Sequence, residues 1–203
     1  MKLFYVPASP YARAVRVALL ETGLDATVQK QEVTLRDPAS TLLPYNPVGR
    51  VPTLQLDNGT VLTESLLILG HLDTLHAGRK LLPLDGSDGW TTMARLGMAA
   101  GMMDGIAVWN RELRRPESER SPTVIALETT RTGRTMDTLG AMIDDAGWNG
   151  PLDASHIMLM AALGYCERRH PAARWRDGHP RLAAWFDRLS QRPSFEATVP
   201  PAA

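Results

Sequence analysis

The chain has 203 residues, 44% of them apolar, which is enough for a real core in one large domain or two small ones. Its 22 basic and 22 acidic residues cancel to a formal net charge of zero, whereas a strong non-specific nucleic-acid or membrane binder shows a basic excess. A single cysteine, Cys166, excludes an intrachain disulfide and a multi-cysteine metal site.

Lys2–Val6 is a short apolar run ended by Pro7, and it reads as a strand. Pro10 suits the first turn of a helix whose inner face carries Val15, Ala18 and Leu19 and which Gly23 closes. Arg13 and Arg16 interrupt the apolar run, so no signal peptide is expected, and the expected surroundings are a reducing cytoplasm. Ala26–Val33 alternates as a second strand. Pro38–Leu43 reads as a short helix, stopped by the turn residues Pro44, Asn46, Pro47 and Gly49. Thr53–Leu56 and Val61-Leu62 flank Asn58-Gly59, a strong hairpin signal. A helical pattern then runs from Thr63, its expected N-cap, to about Leu75.

This order of strands and helices predicts a mixed sheet carrying helices, a domain over residues 1–78. Residues 79–85 read as a linker, and 86–203 as an all-helical domain. Its segments are a long helix from about Asp88 to Arg115, another over Ser121–Asp145, an apolar one over Ala154–Arg169 and an amphipathic one over Pro180–Gln191. No run approaches the ~20 apolar residues that span a bilayer.

Three stretches of the first part carry chemistry. Ser9-Pro10-Tyr11-Ala12 stands at a strand-to-helix junction, where helix amides favour anions. A hydroxyl at Ser9 can donate to a bound thiolate and lower that thiol's pKa; it also fits a plain N-cap, and the two roles are compatible. In Gly49-Arg50-Val51-Pro52-Thr53, a cis bond before Pro52 would turn the Val51 amide and carbonyl outward to meet an extended peptide, although most X–Pro bonds are trans. In Thr63-Glu64-Ser65, the Ser65 amide and hydroxyl suit a carboxylate and Glu64 an ammonium group, together an α-amino acid head; plain capping explains the same residues.

Taken in this order, the three stretches resemble the glutathione S-transferase family. Ser9-Pro10-Tyr11-Ala12 stands where the thioredoxin-like superfamily carries Cys-Pro-Tyr/Phe-Cys, and several transferase classes have Ser or Cys at its first position. Asn46-Pro47-Val48-Gly49-Arg50-Val51-Pro52-Thr53-Leu54 is similar to the family's Asn-Pro-x-Gly-Lys-Val-Pro-x-Leu signature, with Arg for Lys. Leu62-Thr63-Glu64-Ser65 matches its Glu-Ser motif. Pro151–Arg169 resembles its buried sixth helix, and His179–Ser194 its closing helix.

The resemblance implies an α/β thioredoxin-like N-terminal domain plus an all-α C-terminal helical domain. It implies an enzyme that transfers an alkyl or aryl group to the sulfur of glutathione, the co-substrate, without a metal; the alternatives are a glutathione-binding protein with little conjugating activity, or a glutathione-dependent peroxidase, isomerase or lyase on the same fold. Ser9 would stabilise the thiolate, with Tyr5 as a rival; Arg50, Val51 and Pro52 would flank the cysteinyl part; Glu64 and Ser65 would bind the γ-glutamyl head. A hydrophobic electrophile is expected between the halves, against Tyr11, Met102, Ile106, Trp109 and Asn110. A homodimer is expected, with no nucleic-acid or membrane partner. One departure stands out: the family's Asp near the start of the sixth helix is replaced by His156, three residues after Asp153. Imidazole is expected to be a poorer capping-box partner, at a modest folding cost. Cys166, inside that apolar helix, reads as a buried structural thiol.

Overall fold

A computed structural model describes residues 1–84 and 87–201. Residue 85 of the expected linker and residues 86, 202 and 203 of the expected helical domain lie outside the described residues. The chain divides into two compact units, Met1–Pro83 together with the segment from Pro193, and Leu84–Arg192. The division expected from sequence assigns the C-terminal segment to the helices and residues 79–83 to a linker; both belong to the first unit.

The first unit is built on a four-stranded mixed sheet in the order β2-β1-β3-β4. Leu3 and Phe4 of β1 (Lys2–Tyr5) are neighbours in sequence and both fully buried, so this central strand is covered on both faces. The helix α1 (Pro10–Glu21) crosses from β1 to the parallel strand β2 (Gln29–Glu32). β2 is shorter than the alternation in Ala26–Val33 suggests, because Asp25–Thr27 forms a 3-10 turn. Its side chains are largely exposed, and Lys30 is drawn back to Asp25 by a 2.7 Å ion pair, so a polar, charged strand occupies this edge. The hairpin of β3 (Thr53–Gln55) and β4 (Val61–Thr63) turns at Gly59, whose φ of +85° suits glycine, with the Asn58 side chain accepting from the Thr60 amide.

Two local expectations are corrected. Residues 38–43 form successive turns instead of a helix, because side chains compete for the amides a helix would use. Asp37 Oδ1 accepts from the Ala39 N–H at 2.8 Å, and Ser40 Oγ accepts from the Leu42 N–H at 3.3 Å while donating to the Thr34 carbonyl at 2.6 Å. The helix α2 (Ser65–Thr74) starts after Glu64, not after Thr63, since Thr63 still pairs with Thr53 in the sheet. Asp73 near the end of α2 then fastens the following chain by accepting from the amides of Leu81 (3.0 Å) and Leu82 (2.6 Å).

The second unit is helical: α3 (Ser87–Leu113), α4 (Pro122–Met142), α5 (Ala146–Asn149), α6 (Ala154–Arg169), α7 (Trp175–Gly178) and α8 (Pro180–Ser190). A last short helix, α9 (Pro193–Glu196), belongs to the first unit. α6 is buried along most of its length, as its apolar sequence predicts, and Cys166 lies fully inside it with a thiol pushed up to about 12 by burial and by the nearby Glu167. Among the described residues, no helix is long and apolar enough to cross a membrane.

The start of α6 departs from expectation. Asp153 caps it, accepting from the amides of Ser155 (2.8 Å) and His156 (3.3 Å). The His156 Nδ1 stands 2.8 Å from Asp153 Oδ1, the nearer partner, to which it donates, and 3.3 Å from the Asp153 amide, where a capping-box side chain would accept. Its Nε2 meets the Trp148 carbonyl at 3.2 Å, a bond that a carboxylate at this position cannot donate. The substitution therefore exchanges part of the cap for a tie to α5.

Candidate active site

The site begins with the register of the sheet. Phe4 pairs with Thr53, and Thr53 with Thr63, so these three residues form one row across β1, β3 and β4. One step further along that row the chain leaves β1 toward Ser9, enters β3 from Val51-Pro52, and leaves β4 into Glu64-Ser65. Three motifs separated in sequence thus emerge at one end of one sheet. Packing agrees with the register: Val51 lies in a buried cluster with Phe4, Leu42 and Ala12, and Ala12 is the residue whose amide Ser9 caps.

Ser9 is the N-cap of α1, its Oγ accepting from the Ala12 N–H at 3.3 Å with Pro10 at the first helical position. Capping uses an oxygen lone pair and leaves the hydroxyl hydrogen to donate. Tyr5, the rival, donates its hydroxyl to Glu32 Oε1 at 3.0 Å. Burial and that bond raise its phenol above the usual range, so both its proton and its acidity are committed to β2.

The Val51–Pro52 bond is cis. Among the described residues, the Val51 amide and carbonyl have no hydrogen-bond partner. The loop before it is held by Asn46, which is 1% exposed. Its Nδ2 donates to the Arg50 carbonyl (3.0 Å) and to Thr53 Oγ1 (2.8 Å), while its Oδ1 accepts from the Val48 amide (3.0 Å). Gly49, with φ +66°, makes the turn, and the Arg50 side chain is exposed. The sequence marks Asn46 as a turn residue and as the start of the signature, but assigns it no contacts; its buried amide holds the loop together.

Glu64 has φ +67°, a conformation that costs an L-residue about 1–3 kcal/mol and that marks functional sites when the surroundings hold it. Its exposed side chain makes no capping bond, so the first amides of α2 stay open. Ser65 is 5% exposed, and its hydroxyl has no partner among the described residues. An acid, a hydroxyl and a helix N-terminus therefore stand together without internal bonds, an arrangement that can take a carboxylate beside an ammonium group.

The residues read as the electrophile's wall are placed as follows. Tyr11 is half-buried in the first turn of α1. In the helical unit, Met102 is 3% exposed and Ile106 fully buried. Trp109 stacks on His170 with ring centres 3.6 Å apart, and Asn110 Nδ2 donates to the Tyr165 hydroxyl at 2.9 Å. The α3 side chains are thus engaged in helix packing. Among the described residues, no group of three or more His, Cys, Asp or Glu could hold a metal ion.

Comparison with known proteins places these features. Residues 3–80 match the glutathione S-transferase N-terminal domain, and residues 122–188 the glutathione S-transferase C-terminal domain. A glutathione transferase family member from Pseudomonas fluorescens Pf-5, solved with bound glutathione, is 39% identical with a TM-score of 0.93, and 99% of each chain is covered. The uncharacterized GST-like protein YibF of Escherichia coli K12 is 27% identical, with 100% of each chain covered. The maleylacetoacetate isomerase of Pseudomonas aeruginosa is 28% identical, covering 98% of this chain and 96% of its own. Two matching domains in the right order, and a relative of that identity aligned end to end, show that this chain belongs to the glutathione S-transferase family.

Proposed function

We propose that the chain binds glutathione at this end of the sheet and joins a hydrophobic electrophile to its sulfur, transferring an alkyl or aryl group to that atom. The observation that carries the reading is the convergence of Ser9, Val51 and Glu64-Ser65 just beyond one row at one end of the sheet, each with bonding capacity unspent among the described residues. The unpaired Val51 amide and carbonyl suit the cysteinyl part, beside Pro52 and the exposed Arg50. Glu64 takes the γ-glutamyl ammonium, and the Ser65 amide and hydroxyl take its carboxylate. The thiol, near ~8.5 when free, loses its proton to solvent more readily as Ser9 donates to the sulfur. The thiolate then attacks an electrophilic carbon and expels its leaving group. Tyr11 offers the electrophile surface, while Met102, Ile106, Trp109 and Asn110 set the shape of α3. The structure of the Pseudomonas fluorescens relative with bound glutathione supports the ligand, and the same reading assigns the chain to detoxification in a reducing cytoplasm.

Calorimetric titration tests the first step. Glutathione is expected to bind at up to millimolar concentration, and Glu64→Gln to weaken it ~10-fold or more, by loss of a charge-assisted bond. Absence of binding in the parent chain overturns the reading. A second reading, glutathione-dependent isomerisation, is favoured by the likeness to maleylacetoacetate isomerase. It regenerates glutathione, so thiol titration during turnover separates it from conjugation.

The homodimer implied by the resemblance belongs to the same proposal. The exposed face of α3 carries Ala94, Gly97 and Gly101 behind Trp90, which is 77% exposed. A Cβ on Gly97 or Gly101 would meet nothing within 4 Å, so a second helix can approach this backbone closely. Sedimentation is expected to give a dimer at micromolar concentration, and Gly101→Arg a monomer; a monomeric parent chain overturns it.

A further inference from the structure

We propose that the C-terminal segment from Pro193 is a strap that positions Ser9, and that Arg13 is the positioning residue through which it acts. The inference rests on the reading of Ser9 as the donor to the glutathione thiolate.

Chain ends fray unless something ties them down. Here Phe195 and Thr198 are each 1% exposed and Ser194 6%, so the strap is sunk into the first unit. It holds α1 at both ends. In the first turn, Arg13 Nη2 donates to the Phe195 carbonyl at 3.2 Å, Nε reaches Thr198 Oγ1 at 3.5 Å, and the guanidinium lies 6.0 Å from the Phe195 ring centre. At the last residue, the Ser194 hydroxyl donates to Glu21 Oε1 at 2.5 Å. The strap also braces itself, since Thr198 Oγ1 donates back to the Ser194 carbonyl at 2.8 Å, which orients the oxygen that Arg13 meets.

Arg13 also carries the link to the site. Its amide donates to the Ser9 carbonyl at 2.9 Å, so the residue clamped by the strap is bonded directly to the residue whose hydroxyl is aimed. A cation one turn into a helix faces the positive end of the dipole, and this one is only 7% exposed. The fork's value is directional, since it fixes α1 along its axis and about it. A reacting group must be held within ~0.5 Å of its productive position, and an error near 1 Å costs on the order of 10²-fold in rate.

Five full-length variants test the strap: Arg13→Gln, Arg13→Lys, the pair Glu21→Gln with Thr198→Val, Ser9→Ala, and Ser9→Ala combined with Arg13→Gln. Each is read for glutathione affinity by calorimetry, for the pKa of the bound thiol by thiolate absorbance, and for kcat and KM toward a model electrophile. Arg13→Gln is expected to raise the bound thiol's pKa and lower kcat ~10-fold or more, while glutathione affinity changes less than ~3-fold. Arg13→Lys, which keeps the charge and loses the fork, should follow Gln, and the pair should move both readouts in the same direction. In a Ser9→Ala background, Arg13→Gln should raise the thiol's pKa no further. Variants that melt earlier yet keep the parent's bound-thiol pKa and kcat overturn the inference, as does full restoration by Lys, which would assign the effect to charge. If Arg13→Gln does not fold, the Glu21–Thr198 pair decides. Ser9→Ala separates the two failures. An unmoved pKa in that variant removes the Ser9 reading itself, whereas a raised pKa there with no change in the others removes the strap alone.

Discussion

Ser9→Ala is expected to lower kcat/KM for conjugation by ~10- to 100-fold near neutral pH, with glutathione still bound. A hydrogen bond to a charged group contributes about 1.5–3 kcal/mol, and each thiol pKa unit corresponds to about 1.4 kcal/mol. The bound thiol's pKa should therefore rise by ~1–2 units. Because the thiolate is the nucleophile, the loss is largest below the parent's thiol pKa and shrinks as pH rises past the variant's, where both are ionised. The competing explanation is the cap, since Ser9 Oγ also accepts from the Ala12 amide. Loss of an N-cap costs about 0.5–2 kcal/mol with Ala and only a few tenths with Gly. Ser9→Gly thus removes the hydroxyl while sparing the helix. Equal rate loss in the Ala and Gly variants, with Ala melting lower, assigns Ser9 to the chemistry. A Gly variant at parental rate assigns it to capping alone.

That Ser9 can serve both roles explains why sequence suggests the site and does not decide its function. What is legible is local. Pro10 after Ser9, Asn58-Gly59 in the hairpin and the apolar run of α6 each carry their conformation in one or two residue types, and each forms where expected. What is illegible depends on distant partners. Thr63 resembles a cap because its hydroxyl suits one, but pairing with Thr53 keeps it in the sheet and moves the cap to Glu64. The turns over 38–43 are obscured by side chains bonding their own backbone. The docking of the C-terminal segment has no signal in sequence; it shows in the burial of Phe195 and Thr198 and in the bond from Arg13, 182 positions from Phe195. The convergence of the three motifs is likewise a fact of register, which no stretch of sequence states.

The largest stability effect is expected at the start of α6. Asp153 is buried, and burial alone would raise its carboxyl. Hydrogen bonds from His156 and Ser155 and the proximity of the His156 ring more than offset that, and hold it at about 2 against an ordinary 3.8. On the far side Oδ2 accepts from Arg95 at 3.0 Å, and that guanidinium lies 5.5 Å from the Trp148 ring centre. Asp153→Asn keeps the shape and removes the charge, leaving Arg95 without its carboxylate while its side chain is only 11% exposed. Breaking one partner of a buried pair costs about 3 kcal/mol or more, which lowers Tm by ~6–12 °C in a chain of this size. The depressed carboxyl sets the pH window. Its contribution is fully present above the unfolded value near 3.8 and is lost as pH falls through about 2. The gap in Tm between parent and Asn variant should therefore close over that interval as pH falls. Gly147→Ala probes the same network from its other side. A Cβ there would run into Arg95 Nη1, and the bonds to Asp153 and Thr92 keep the guanidinium from yielding. It should destabilise the parent by about 1–3 kcal/mol, and the Asn variant by less, because Arg95 has lost one of the bonds that hold it. Equal costs in the two backgrounds would show that Arg95 is held by packing, and not by Asp153.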